Sequence, residues 1–154
     1  MKKALIIGLC ILFLLPAILY SGIVIANNAI AKDIERTLKE APLPEDTVLL
    51  DSISIAGKLV GNGNGMQYMG SILIISDLSA EELQDFYGKT FENVQVRQQK
   101  TPMIDFINTN TYSFELYGDP NHSNHYSITC WESAKDAGAS GWIATLLNLD
   151  LRGH

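Results

Sequence analysis

The chain contains only 2 cysteines among 154 residues. Cys10 falls inside an apolar N-terminal run and Cys130 stands alone beyond it, so no intramolecular disulfide staples the fold. Positive charge is also scarce, with 11 Lys+Arg against 17 Asp+Glu. Setting aside Lys2 and Lys3 leaves 9 basic residues against 17 acidic ones, a formal charge of −8 for the rest. Nucleic acid asks for a basic footprint, which excludes it as a partner, and the same balance disfavours an outer domain lying flat on anionic lipid. No G-x-S-x-G, S-x-x-K or H-E-x-x-H stretch occurs, which removes the commonest hydrolase signatures. Internal repeats and low-complexity tracts are absent too.

What is present begins with Lys2 and Lys3, followed by an apolar run from Ala4 to Ala26 that holds no charged residue. At about 1.5 Å per residue the run spans roughly 34 Å, enough to cross a hydrocarbon core of about 30 Å with some tilt. A cleaved signal has a shorter apolar core of roughly 7 to 15 residues, although Ala29-Ile30-Ala31 does form an A-x-A pattern. Length favours a retained anchor. Cys10 follows Leu9, not the small residue a lipoprotein signal wants, so it is not read as a lipidation site. Lys2 and Lys3 place the leading end in the cytoplasm and the large C-terminal part outside, moderated by Lys32, Arg36 and Lys39 past the other end. Pro16 predicts a kink, not a break. Ala17-x-x-x-Ser21 and Gly22-x-x-x-Ala26 have the spacing that seats a partner helix, although small residues are common in such spans.

From Asn28, Ile30, Ile34 and Leu38 recur every fourth position among charged residues, predicting an amphipathic juxtamembrane stalk supported by Glu35 and Lys39 at i,i+4. Pro42 and Pro44 end it. The expected organisation is a transmembrane anchor over residues 1–27, a juxtamembrane helix and proline spacer over 28–44, and one extracytoplasmic domain over 45–154.

Within that domain, Thr47 to Leu50 and Ser52 to Leu59 read as one broken strand or two short ones, with a bulge or bend at Gly57. Gly61 to Gly65, with Asn-Gly steps, leads into Met66 to Ser76 and predicts a β-hairpin. A phosphate-cradling loop would need a helix next and a G-K-[ST] signature; neither is present. Ser79 to Phe91 reads as a helix, with Ser79 and Glu82 as a capping box and Leu78 and Leu83 as a hydrophobic staple. Glu81, Glu82 and Asp85 then read as a solvated face complementing the helix dipole. Short strands follow at Asn93 to Gln99, Met103 to Thr109, Tyr112 to Tyr117 and Tyr126 to Glu132. Ile143, Thr145, Leu147, Leu149 and Leu151 alternate at period two, predicting a terminal strand in which Trp142 serves packing. The fold class expected is α+β: an antiparallel sheet with one packed helix, preceded by a single N-terminal transmembrane helix.

Two constellations carry possible chemistry. Cys130, with His122 or His125, forms the candidate pair for a thiol-dependent hydrolase or transpeptidase. Ile128-Thr129-Cys130 resembles the tail of the sortase T-L-x-T-C strand. The resemblance stops at those residues, because the histidines lie five to eight residues from the cysteine instead of far upstream and Arg152 lies too far downstream. Tyr126, Ile128 and Cys130 share one strand face, which favours a core thiol. Asp119, His122 and His125 form a D-x-x-H-x-x-H loop cluster of zinc-ligand types, with His154 a remote third imidazole; loop histidines are more often simply solvated. No cofactor is expected.

The outer part, through Leu43-Pro44-x-x-Thr47, the Gly61 to Gly65 hairpin, Ser76-x-x-Ser79-x-x-Glu82-Leu83, Phe86-Tyr87 and Leu149 to His154, is similar to small extracytoplasmic domains of uncharacterised bacterial single-pass membrane proteins. That resemblance implies no activity. The sequence therefore predicts a membrane-anchored binding or accessory module of the cell envelope, not catalytic. It would touch the bilayer through residues 4–26 and an envelope protein or ligand through its outer domain.

Overall fold

The computed structural model of the chain describes residues 2–59, 65–104, 112–115, 124–134, 136–139 and 141–152. It begins with one uninterrupted helix, α1 (Lys2–Glu40), with Pro16 inside it. From Ile11 to Ile25 the large apolar side chains are mostly exposed: Phe13 is 72% exposed and Leu19 61%. The pattern inverts at Asn27. From there Asn27, Ala31, Ile34, Glu35 and Leu38 form a buried stripe at helical spacing. The segment that reads as a stalk is thus docked, its inner stripe lying across β1 (Thr47–Gly57) and β2 (Gln67–Ser76). The periodicity was compatible with both outcomes; a waiting sheet face decides between them.

Those strands belong to a four-stranded antiparallel sheet completed by β3 (Val94–Gln98) and β4 (His125–Ser133), in the order β1-β2-β4-β3. β2 and β4 are the inner strands, and β2 and β3 run parallel to one another with β4 between them. Ile72-Leu73-Ile74-Ile75 can be continuously apolar because both faces of β2 are covered. On one face, α1 and the helix α2 (Ala80–Gly88) pack Leu38, Leu83 and Tyr87 against Tyr68, Ile72, Ile74 and Ile128. On the other, Ile104 and Phe114 close over Ile55, Met69 and Leu73. Each fully buried Leu or Ile contributes about 1.5–3 kcal/mol.

One position fixes how close α1 lies. A methyl group added at Gly70 would meet the backbone of α1, 2.8 Å from Ile34 C and 2.8 Å from Glu35 Cα. The helix backbone rests on the sheet there, and only glycine leaves it room.

β1 and β2 pair antiparallel as the hairpin reading requires, from Thr47↔Ser76 to Gly57↔Gln67; the turn at 60–64 lies outside the described residues. β1 is one strand with a register shift between Leu49 and Asp51, and Gly57 terminates it instead of bulging. The carboxylate of Asp51 turns that irregularity to use by accepting from the backbone N of Ser52 (2.7 Å) and Glu115 (2.7 Å), tying down the segment over the second face. Of the strands expected at 103–109 and 112–117, the described parts make an isolated bridge, Met103↔Ser113.

α2 carries the expected capping box: Ser79 Oγ accepts from Glu82 N (3.3 Å) and Glu82 Oε2 accepts from Ser79 N (2.8 Å). It stops at Gly88, short of Phe91. Its Gln84 side chain behaves like an extra strand residue, donating Nε2 to Val94 O (3.1 Å) and accepting at Oε1 from Val96 N (2.9 Å). That satisfies two backbone groups on the outer edge of β3.

The predicted terminal strand is not formed. Residues 142–147 form a short helix, α3 (Trp142–Leu147), after Gly141 at φ 54°, and a turn follows. Ala144 and Leu147 face the core while Trp142, Ile143 and Leu146 face away, and Trp142 is 72% exposed instead of packed. In so short a run the same leucines satisfy a period of two or of four, so alternation alone could not decide.

Candidate functional site

β4 carries the sequence's chemical candidates. Tyr126, Ile128 and Cys130 point to the helix-covered face, while His125, Ser127 and Thr129 sit on alternate positions and point to the other. Cys130 and His125 are therefore on opposite faces and roughly 17 Å apart along the strand. Burial, with a smaller contribution from Glu132, pushes the Cys130 thiol up to about 12, the reverse of an activated nucleophile. Arg152 is engaged by Asp150 and Asn28. Asp119, His122 and His154 lie outside the described residues; His125 itself is fully buried. Among the described residues no group of three His, Cys, Asp or Glu side chains is placed to hold a metal ion.

The geometry instead draws attention to a cleft of about 580 Å³ where β4 ends beside the start of β3. Trp131, Gln67 and Asn93 line it together with Glu92, Glu132 and Asp136, and no basic side chain appears among the described lining. The turn after β4 fixes Asp136, whose Oδ2 accepts from Ser133 Oγ (2.6 Å) and Ser133 N (3.0 Å). Glu132 sits between two like charges: burial first, then Asp136 and Asp33, raises its carboxyl above the usual range. A cationic group entering here would relieve that repulsion.

Two buried polar clusters hold α1 in place, and neither was evident as a site from sequence. Where α1 leaves its apolar run, Asn27 donates Nδ2 to Asp150 Oδ2 (2.9 Å) and to Leu147 O (3.1 Å), and accepts at Oδ1 from Tyr68 OH (2.8 Å). Asp150, fully buried, also accepts from Arg152 Nε (3.0 Å to Oδ1), and Arg152 reaches Asn28 Oδ1 (2.7 Å). Burial raises the Asp150 carboxyl, but the hydrogen bonds from Arg152 and Asn27 and the Arg152 charge outweigh it, leaving a net lowering. Tyr68 is pushed up to about 12 by burial and by the Asp150 charge. Two turns along α1, Glu35 is buried against β1. It accepts from Ser52 Oγ (2.6 Å) and Lys32 Nζ (2.6 Å), bonds that with a further one from Ser54 overcome desolvation and lower its pKa. The signals were there to be read: Asn27-Asn28 directly after an uncharged run, a glutamate on the apolar side of a helix, and Asp150 between two leucines.

No family model, curated protein or solved structure matches the chain.

Proposed function

We propose that the chain is a single-pass membrane protein with its N-terminus in the cytoplasm. On this reading its α+β domain stands outside the membrane as a non-catalytic binding or accessory module of the cell envelope. The observation that carries this is the inversion of α1 at Asn27. One helix is long and apolar enough to cross a membrane on one side of that point and is core of the folded domain on the other. Cleavage after Ala31 would cut within the docked stripe, remove Asn27 and leave Asp150 and Tyr68 without their partner, which supports a retained anchor over a processed signal. Lys2 and Lys3 support the orientation.

A raised thiol pKa and the separation of Cys130 from His125 favour binding over thiol catalysis. The acidic cleft beside Trp131 is the candidate binding face, suited to a ligand or protein segment that presents cationic groups. The reading is tested by expressing the full chain with an epitope at each end. The expected product resists carbonate extraction, keeps both epitopes on one band, and loses only the C-terminal epitope to protease added outside. A soluble product lacking the N-terminal epitope would overturn it.

A further inference from the structure

Among the described residues of the domain, Leu43, Val48 and Met103 are exposed singly, but five exposed apolar residues fall in one stretch of the chain. Trp142, Ile143 and Leu146 fall within one arc of α3, and Leu149 and Leu151 follow in the tail, at exposures of 72, 43, 41, 52 and 65%. From Gly141 to Leu151 the only charged residue is Asp150, and its side chain is buried against Asn27 and Arg152. An apolar surface without a charge in it, on a domain that is otherwise strongly acidic, is not shaped for water.

Its position says what covers it. Asn27 binds Leu147 O and Asp150 where α1 leaves the apolar run, and Leu151 N donates to Tyr20 OH (3.4 Å), inside that run. Two hydrogen-bonded ties thus hold the C-terminal segment beside the last two turns or so of the apolar helix. Leu149 and Leu151 of the tail are exposed, as are Leu19 and Ile25 of α1.

We infer that α3 and the tail to Leu151 form a second membrane contact. Trp142, Ile143, Leu146, Leu149 and Leu151 are immersed in the outer acyl–headgroup boundary of the phospholipid bilayer. The Asn27–Asp150–Arg152 cluster locks that element to the span. This rests on the anchor reading of α1. The contact is apolar and edge-on, so the acidic charge of the domain does not oppose it. Trp and Tyr are the residues that settle at this depth, and here Trp142 and Tyr20 bracket the segment. With two attachments, the domain is held at one tilt and does not swivel on a single helix.

The test uses the full-length chain with Trp131→Phe, which leaves Trp142 as the sole tryptophan, in phosphatidylcholine vesicles with or without dibrominated acyl chains. A companion chain carrying Trp131→Phe, Trp142→Phe and Leu19→Trp reports the span. Brominated lipid should quench both tryptophans strongly, and aqueous iodide should quench neither until detergent or denaturant is added. If the span probe is quenched by brominated lipid while Trp142 is quenched by iodide, the second contact is refuted and the anchor stands. If Trp142 is insensitive to both quenchers, a protein surface such as a second copy covers it, and the lipid contact is refuted. If the span probe itself escapes brominated lipid, the anchor reading fails and takes this inference with it.

Discussion

Replacing Gly70 by alanine should separate α1 from the sheet. The new Cβ would lie 2.8 Å from both Ile34 C and Glu35 Cα, well inside normal contact, and both are backbone atoms that no rotamer change can move aside. Relief requires the docked half of the helix to shift, which loosens Ala31, Ile34 and Leu38 and stretches the bonds from Ser52 and Lys32 to Glu35. Overpacking of this kind costs about 1–3 kcal/mol, and rigid backbone on both sides puts Gly70→Ala at the upper end. For a chain of this size, about 3 kcal/mol is roughly 6–12 °C in Tm, at about 2–4 °C per kcal/mol. Gly88→Ala is the control, because the nearest atom to its new Cβ is Gln84 Nε2 at 4.0 Å, an ordinary van der Waals distance. There, inside α2, alanine should be neutral or stabilising by up to about 1 kcal/mol. Both are read by thermal unfolding of the full chain in detergent, followed by circular dichroism. Equal Tm values for Gly70→Ala and the parent would refute close backbone docking.

Asn27→Leu should cost about 3–5 kcal/mol, because it deprives buried Asp150 of a donor and buried Tyr68 OH of its acceptor; urea unfolding followed by tryptophan fluorescence would show the midpoint falling. Cys130 should resist alkylation between pH 7 and 9 in the folded chain and react promptly once denatured, as mass spectrometry would record. Glu35 and Asp150 both have folded-state pKa values below their unfolded ones, so the unfolded chain binds more protons. Their contribution is complete above the unfolded carboxylate range of about 4 and drains away as pH falls through the folded values. Glu35→Gln should flatten that acid limb in a plot of Tm against pH, and an unchanged limb would show that Glu35 carries none of it.

Features with short-range causes were legible. The Ser79–Glu82 capping box specifies its helix within one turn, and it appears as read. The uncharged run after Lys3 and the antiparallel pairing of β1 with β2 follow from composition and local pattern. What escaped depends on surfaces that meet across the fold. Ile30, Ile34 and Leu38 have the spacing of a stalk, but a stalk would not need Asn27 and Glu35 on its apolar side, and those two polar residues were the sign of a sheet with partners for them. At Gly70 nothing in the local sequence marks the helix above it. The alternation of Ile143 to Leu151 suggested a strand, but the chain forms α3 there and pins the following residues to Asn27 and Tyr20. Cys130 and His125 are near in sequence, yet a strand's alternation sends them to opposite faces.

Cysteine accessibility along α1 distinguishes a helix that is anchor below Asn27 and domain core above it from every simpler arrangement. In a background of Cys10→Ser and Cys130→Ala, single cysteines at Leu19, Ile25, Ala31, Lys32, Arg36 and Leu38 would be treated with a membrane-impermeant maleimide in intact membranes. Cysteines at Lys32 and Arg36 should react at once, those at Ala31 and Leu38 only after denaturation, and those at Leu19 and Ile25 only after detergent dissolves the bilayer. Rapid labelling at Ala31 and Leu38 would mean a free stalk, and labelling at Leu19 and Ile25 in intact membranes would mean that the apolar run does not lie in lipid.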